Sequence, residues 1–219
     1  MKKAFTLLEL VFVIVVIGIL AALILPRTKT NPVQEAAIQV LSHIRYTQHL
    51  ALVDDKYNAN DANWYKKRWQ ILFSSNASSD NKWGYTIFAD TIGGSTGNPN
   101  KNEIAINPQN PQQRMTGGQT ASNDLDINDP SFVGMSKLNL GKSYSITNVT
   151  FSNTCKVGTS TRIAFDYMGR PIKGNLTSNT SPYDANDLIQ SDCNITLTDG
   201  TESAIIQISP ETGYAKVIF

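Results

Sequence analysis

The chain has 219 residues, 41% hydrophobic and 17% charged, with a formal net charge of +1. A near-neutral balance leaves no electrostatic footprint for bulk nucleic-acid binding. Two cysteines without a nearby histidine supply too few ligands for a zinc site, and the length suits one anchor plus one domain of about 150–160 residues.

The first element is an apolar run from Phe5 to Leu25. Lys2, Lys3 and Ala4 lead into it, and only Thr6 and Glu9 interrupt it. Its 21 residues would reach about 31 Å as a helix, enough to cross the hydrocarbon core of a bilayer. A carboxylate at the centre of such a segment costs about 2.5–3.5 kcal/mol, so Glu9 needs a reason to be there. Thr6-Leu-Leu-Glu9 also fits the S/T-x-x-E capping box, in which Glu9 satisfies backbone donors and suits the positive end of the helix dipole. The run is too long for the apolar core of a secretory signal. Lys2 and Lys3 would stay cytoplasmic, with the C-terminal bulk outside the inner membrane. Gly18 and Pro26 are tolerated in a spanning helix but soften it.

A second helical pattern follows. Val33, Ala36, Ala37, Val40, Leu41, Ile44, Ala51 and Leu52 recur largely at three- and four-residue intervals, with Gln34, Gln39, Ser42, Arg45 and Gln48 between them. That is an amphipathic helix laid against a folded body. Asp54-Asp55 and the stretch from Asn58 to Asn63 end it, and Pro32 sits at its first turn or marks a kink. One continuous helix from Phe5 to Val53 would be about 73 Å long.

Strand chemistry comes next. Arg68–Phe73 and Trp83–Ala89 are rich in aromatic and β-branched residues, with a loop from Ser74 to Lys82 between them. Residues 98–130, dominated by Asn, Gln, Pro, Gly and Asp, read as a long mobile excursion with at most one short strand at Glu103–Ile106. Order resumes at Tyr144–Phe151 and Arg162–Phe165. Asn194–Thr198, Ala204–Ser209 and Tyr214–Phe219 form a three-stranded meander with turns at Asp199-Gly200 and Pro210–Gly213. The predicted fold class is α+β: a long N-terminal helical spine, half membrane and half amphipathic, packed on a C-terminal antiparallel β-sheet or β-sandwich domain.

Two short patterns invite a test for chemistry. Gly93-Gly-Ser95-Thr-Gly97 matches the G-x-S-x-G nucleophile elbow, but Asn98-Pro99 follows where a helix must start. The histidines, His43 and His49, are six residues apart on the stem and about 120° from facing the same way, so neither a triad nor a shared metal follows. Asp124, Asp126 and Asn128 occupy the first three ligand positions of a calcium loop. Asp129 stands where glycine is required and Met135 where glutamate is, so calcium is at most a loose ligand and a solvated loop is the simpler reading. No other cofactor is expected, and the chain reads as non-enzymatic.

The N-terminal constellation of Lys2-Lys3-Ala4, Phe5, Glu9 and the apolar run resembles the class III leader of type IV pilins and type II secretion pseudopilins. The resemblance covers roughly the first 30 residues; the family usually carries Gly where this chain has Ala4. It implies a leader of residues 1–4, cleavage by a prepilin peptidase between Ala4 and Phe5, and N-methylation of Phe5. It further implies a transmembrane and assembly helix over 5–30, a stem over 31–57 and a periplasmic domain over 58–219. Glu9 would guide subunits into a helical filament, and Pro26 would mark where the helix bends or melts. In an oxidising compartment Cys155 and Cys193 would form a bridge, as in many family members. Phe165-Asp-Tyr-Met-Gly-Arg-Pro171, Ile208-Ser-Pro-Glu-Thr-Gly-Tyr214 and Ser42-His-Ile-Arg-Tyr-Thr-Gln-His-Leu-Ala51 are similar to segments of H-type minor pseudopilins and related minor pilins. Gly169-Arg170-Pro171 also reads simply as a tight turn.

The function implied is a minor subunit of a secretion pseudopilus or type IV pilus. Its partners would be the peptidase, other pilin subunits and an inner-membrane assembly platform. One alternative is a minor pilin for DNA uptake, with Arg162, Arg170, Lys173 and Lys216 as its basic candidates. Another is a membrane-anchored periplasmic enzyme or binding module.

Overall fold

Two separate helices, not one spine, follow the N-terminus in the computed structural model, which describes residues 6–24, 31–92 and 96–218. Helix α1 (Leu7–Ile24) has 18 residues and α2 (Pro32–Val53) has 22. The expected continuous helix from Phe5 to Val53 is therefore corrected, and with it the long-spine fold class. Proline inside a helix removes a hydrogen bond and clashes with the preceding turn, at about 3 kcal/mol, whereas at the first helical position it costs nothing. The chain accordingly starts a new helix at Pro32. Pro26, the other expected soft point, lies outside the described residues. No helix among the described residues is long and apolar enough to cross a membrane. The 18 residues of α1 make about 27 Å against a hydrocarbon core of about 30 Å.

The chain divides into two units, Met1–Asn31 and Pro32–Phe219. The second is mostly β-sheet, an α+β mix whose sheets are antiparallel. One four-stranded sheet has the order β2-β1-β6-β7, from β1 (Trp69–Ser75), β2 (Trp83–Ala89), β6 (Arg162–Phe165) and β7 (Pro171–Lys173). The other has the order β10-β9-β8-β5, from β5 (Asn148–Phe151), β8 (Cys193–Thr198), β9 (Ser203–Ile208) and β10 (Ala215–Ile218). A ribbon pairs β3 (Ile106–Asn107) with β4 (Asn110–Arg114).

Side chains alternate across a strand, so one face of each sheet is apolar. Ile71 and Phe73 on β1, and Ile195, Leu197, Ile206 and Ile208 on β8 and β9, are fully buried on those faces. Helix α2 packs on β1 and β6 of one sheet and on β8, β9 and β10 of the other. Its Val33, Ala36, Ala37, Val40 and Ile44 join both faces into one core. The three- and four-residue spacing of the stem thus marks the buried stripe, although Leu52 stays exposed.

The excursion from 98 to 130 packs against β2. Ala105 N–H donates to Ile87 O (2.9 Å), Ile87 N–H to Met115 O (3.0 Å), and Met115 N–H to Ala105 O (2.8 Å). Thr86 and Thr116 share a hydroxyl bond of 2.7 Å, and Ile104, Met115 and Leu125 are buried. The segment covers the free edge of β2, a row of backbone groups that would otherwise invite pairing with another chain. Gly117 makes the close approach: a Cβ there would lie 2.4 Å from the backbone of Leu138 and Asn139.

Candidate functional site

Of the expected assembly residues, Ala4 and Phe5 lie outside the described residues. Glu9 sits in the first turn of α1 and closes a capping box with Thr6. Its Oε2 accepts from Thr6 N–H (3.1 Å) and Thr6 Oγ1–H (3.0 Å), while Glu9 N–H donates to Thr6 Oγ1 (3.3 Å). Every residue from Leu7 to Leu20 is exposed, including Leu7 at 81%, Leu8 at 78% and Phe12 at 68%. A helix apolar all round normally belongs in a protein core or in lipid.

The bridge between Cys155 and Cys193 is present, with the Cα atoms 4.9 Å apart and both residues fully buried. It ties the turn after β5 to the first residue of β8.

Three segments singled out in the sequence, Ser42–Ala51, Phe165–Pro171 and Ile208–Tyr214, meet in space. Gln48 of α2 donates through Nε2 to Gly169 O in the β6–β7 turn and to Thr212 O in the β9–β10 turn, each at 2.8 Å. Arg45 donates to Ala215 O (2.7 Å) and lies over the Tyr214 ring. One side chain therefore joins the ends of both sheets to the stem. Gly213, at φ +63°, has no room for a Cβ, which would fall 2.5 Å from Gly169 O. We expect Gly213→Ala to lower the unfolding free energy by about 2–3 kcal/mol in urea denaturation, from left-handed strain plus backbone displacement.

The tight-turn reading of Gly169-Arg170-Pro171 holds. Asp166 Oδ1 accepts from Met168 N–H (3.0 Å) and Arg170 N–H (2.8 Å), and its Oδ2 accepts from Arg170 Nε (2.7 Å). Asp166 thus occupies Arg170. Arg162 is 5% exposed and donates to Gln70 Oε1, Asn175 Oδ1 and Gly97 O. Two of the four basic residues considered for DNA are committed to internal partners.

A polar cluster that the sequence did not signal links α2 to Tyr85 on β2. Tyr85 Oη is 2.6 Å from His43 Nδ1 and accepts from Gln39 Nε2 (2.9 Å), while Tyr144 Oη donates to Gln39 Oε1 (2.7 Å). Burial pushes the His43 imidazole down to about 4. The unfolded chain, near 6.5, therefore takes up the proton first, and stability falls as pH drops from about 6.5 towards 4. Allowing for partial exposure, the loss attributable to His43 should be about 2 kcal/mol. Chemical denaturation of the protein and of His43→Gln at pH 7 and pH 4.5 reads it directly: the variant should lack that share of the decline.

The calcium-loop residues commit oxygens to neighbours within the chain. Asp124 pairs with Lys101 and Ser122, Asp126 Oδ1 accepts from Asn128 N–H (2.8 Å), and Asn128 Oδ1 accepts from Lys142 Nζ (2.8 Å). No group of three or more His, Cys, Asp or Glu among the described residues is placed to hold a metal ion. Ser95, the nucleophile of the G-x-S-x-G pattern, lies outside the described residues, and His43 is engaged with Tyr85.

No known protein family, curated protein or solved structure matches this chain.

Proposed function

We propose that the chain is a non-enzymatic filament subunit, a minor pseudopilin or minor pilin that assembles through α1 and serves protein secretion. The observation that carries this reading is a helix apolar on every side, exposed from Leu7 to Leu20, with one carboxylate in its first turn. Apolar surface of that extent needs a cover, and copies of the same helix supply one. Before assembly, lipid covers it, with the folded body in the periplasm. A prepilin peptidase cuts after Ala4, and the methylated amine of Phe5 in a neighbouring subunit neutralises Glu9. An inner-membrane platform draws subunits into the bundle. The burial of Arg162 and the pairing of Arg170 support secretion over DNA uptake.

Removing one partner of a buried ion pair costs about 3–5 kcal/mol, so Glu9→Ala should enter membranes normally yet be absent from sheared filaments. Immunoblotting of the membrane and filament fractions in the native host makes the comparison. Incorporation at the unaltered level would sink the mechanism. Intact mass of the membrane-extracted chain tests the class itself, which requires a chain that starts at N-methylated Phe5.

A further inference from the structure

Below the β6–β7 turn the folded body opens a cavity of about 320 Å³, lined among others by Arg68, Tyr183, Asp184 and Asp187. That volume is at the small end of ligand sites, which run from about 300 to 1,000 Å³. Arg68 is only 5% exposed, and its guanidinium lies 5.0 Å from the Trp64 ring centroid and 6.0 Å from that of Tyr183. Nη2 donates to Pro182 O (2.9 Å), but Nε is buried with no partner, and Nη1 makes no hydrogen bond with the described residues. A buried charged group with unmet donors is costly, so an acceptor that reaches the free edge of this guanidinium gains more than a surface contact would.

The same lining carries two partly exposed carboxylates with acceptor capacity to spare. Asp184 Oδ1 accepts from Asn186 N–H (2.8 Å), while its other oxygen and both oxygens of Asp187 accept nothing from the described residues. Burial and the neighbouring Asp184 both push the Asp187 carboxyl up, against the pull of Lys173 and Arg68. Asp166 and Arg170, also in the lining, satisfy one another. One guanidinium thus shares the cavity with two carboxylates. A simple anion would meet Arg68 but repel the carboxylates, and a simple cation would do the reverse. A molecule with a carboxylate at one end and positive charge at the other meets both, and a second positive charge completes the balance.

We propose that this cavity binds a free basic amino acid, its carboxylate on Arg68 and its cationic groups on Asp184 and Asp187. The site is built from the folded body alone, so it is independent of assembly through α1.

The test is isothermal titration of the full chain in detergent with L-arginine, L-lysine, L-glutamate and agmatine, the last being arginine without its carboxylate. Tryptophan fluorescence is followed in parallel, since Trp64 stacks on Arg68. Saturable arginine binding is expected, with agmatine and glutamate each weaker by about tenfold or more. Arg68→Gln should weaken arginine to the level of agmatine. Because that residue is buried, the partly exposed Asp184→Asn serves as the variant whose folding is not at issue, and it should weaken arginine by about tenfold. No saturable signal with any of the four compounds overturns the proposal. So does agmatine binding as tightly as arginine, or an Asp184→Asn protein that binds arginine unchanged.

Discussion

Replacing Cys155 and Cys193 together by alanine should lower the unfolding free energy by about 4 kcal/mol, the chain-entropy value for a closed loop of 38 residues. Against a typical total of 5–15 kcal/mol, that is enough to leave a measurable unfolded fraction on mild warming. The topology makes the effect large. The loop leaves the second sheet at the end of β5, contributes β6 and β7 to the first sheet, and returns at β8. Only the bridge covalently closes that path, and the ladder beside it is short: β5 pairs with β8 over four residues. Ser152 N–H to Asn194 O (2.9 Å) and Asn194 N–H to Ser152 Oγ (3.1 Å) extend the pairing towards the bridge. Urea denaturation of the double variant against the oxidised protein gives the number. A loss under about 1 kcal/mol would show that the two sheets and α2 hold this excursion without help. Because both cysteines are fully buried, thiol reductants should act only through opening of the second sheet.

Val13→Lys should remove the full chain from filaments while leaving the folded body intact. Val13 lies in the middle of the described apolar stretch of α1, 44% exposed in the isolated chain. A lysine there would have to enter either lipid or a bundle of apolar helices. At about 2.5–3.5 kcal/mol per charge, each subunit loses about two orders of magnitude in its partition into an apolar surrounding. The loss recurs at every subunit added, so incorporation should fall to background. Sedimentation and fraction blotting measure assembly, and near-ultraviolet circular dichroism reports on the body, which should be unchanged. Pelleting at the unmodified yield would show that α1 is not the assembly surface.

These two outcomes rest on features read from the chain with unequal ease. The apolar identity of α1, the buried stripe of α2 and the strands at Arg162–Phe165 and Trp83–Ala89 are local matters of spacing and propensity. Thr6 and Glu9 form the capping box that their three-residue separation announces. Arg162 shows where such reading stops. Its sequence neighbourhood is that of an exposed strand residue, yet Gly97 and Gln70, distant along the chain, supply acceptors that hold it inside. Residues 98–130 show the same limit. Their polar composition speaks for a loop, but Ile104, Met115 and Leu125 are enough to pin it across β2.

By itself, the amino-acid sequence determined the elements whose signal is periodic or covalent. These are an apolar helical segment, an amphipathic one, and short β-strands closing in a meander, with two cysteines expected to pair. The tertiary structure alone decided that α2 joins two sheets. It also decided that Gln48 ties their ends together, that His43 meets Tyr85, and that Arg68, Asp184 and Asp187 line one cavity. The physical reason is distance along the chain. Helix and strand periodicity arises from neighbours within a few residues, whereas each of these contacts joins groups about 40 to 165 residues apart, whose meeting depends on the packing of the whole core.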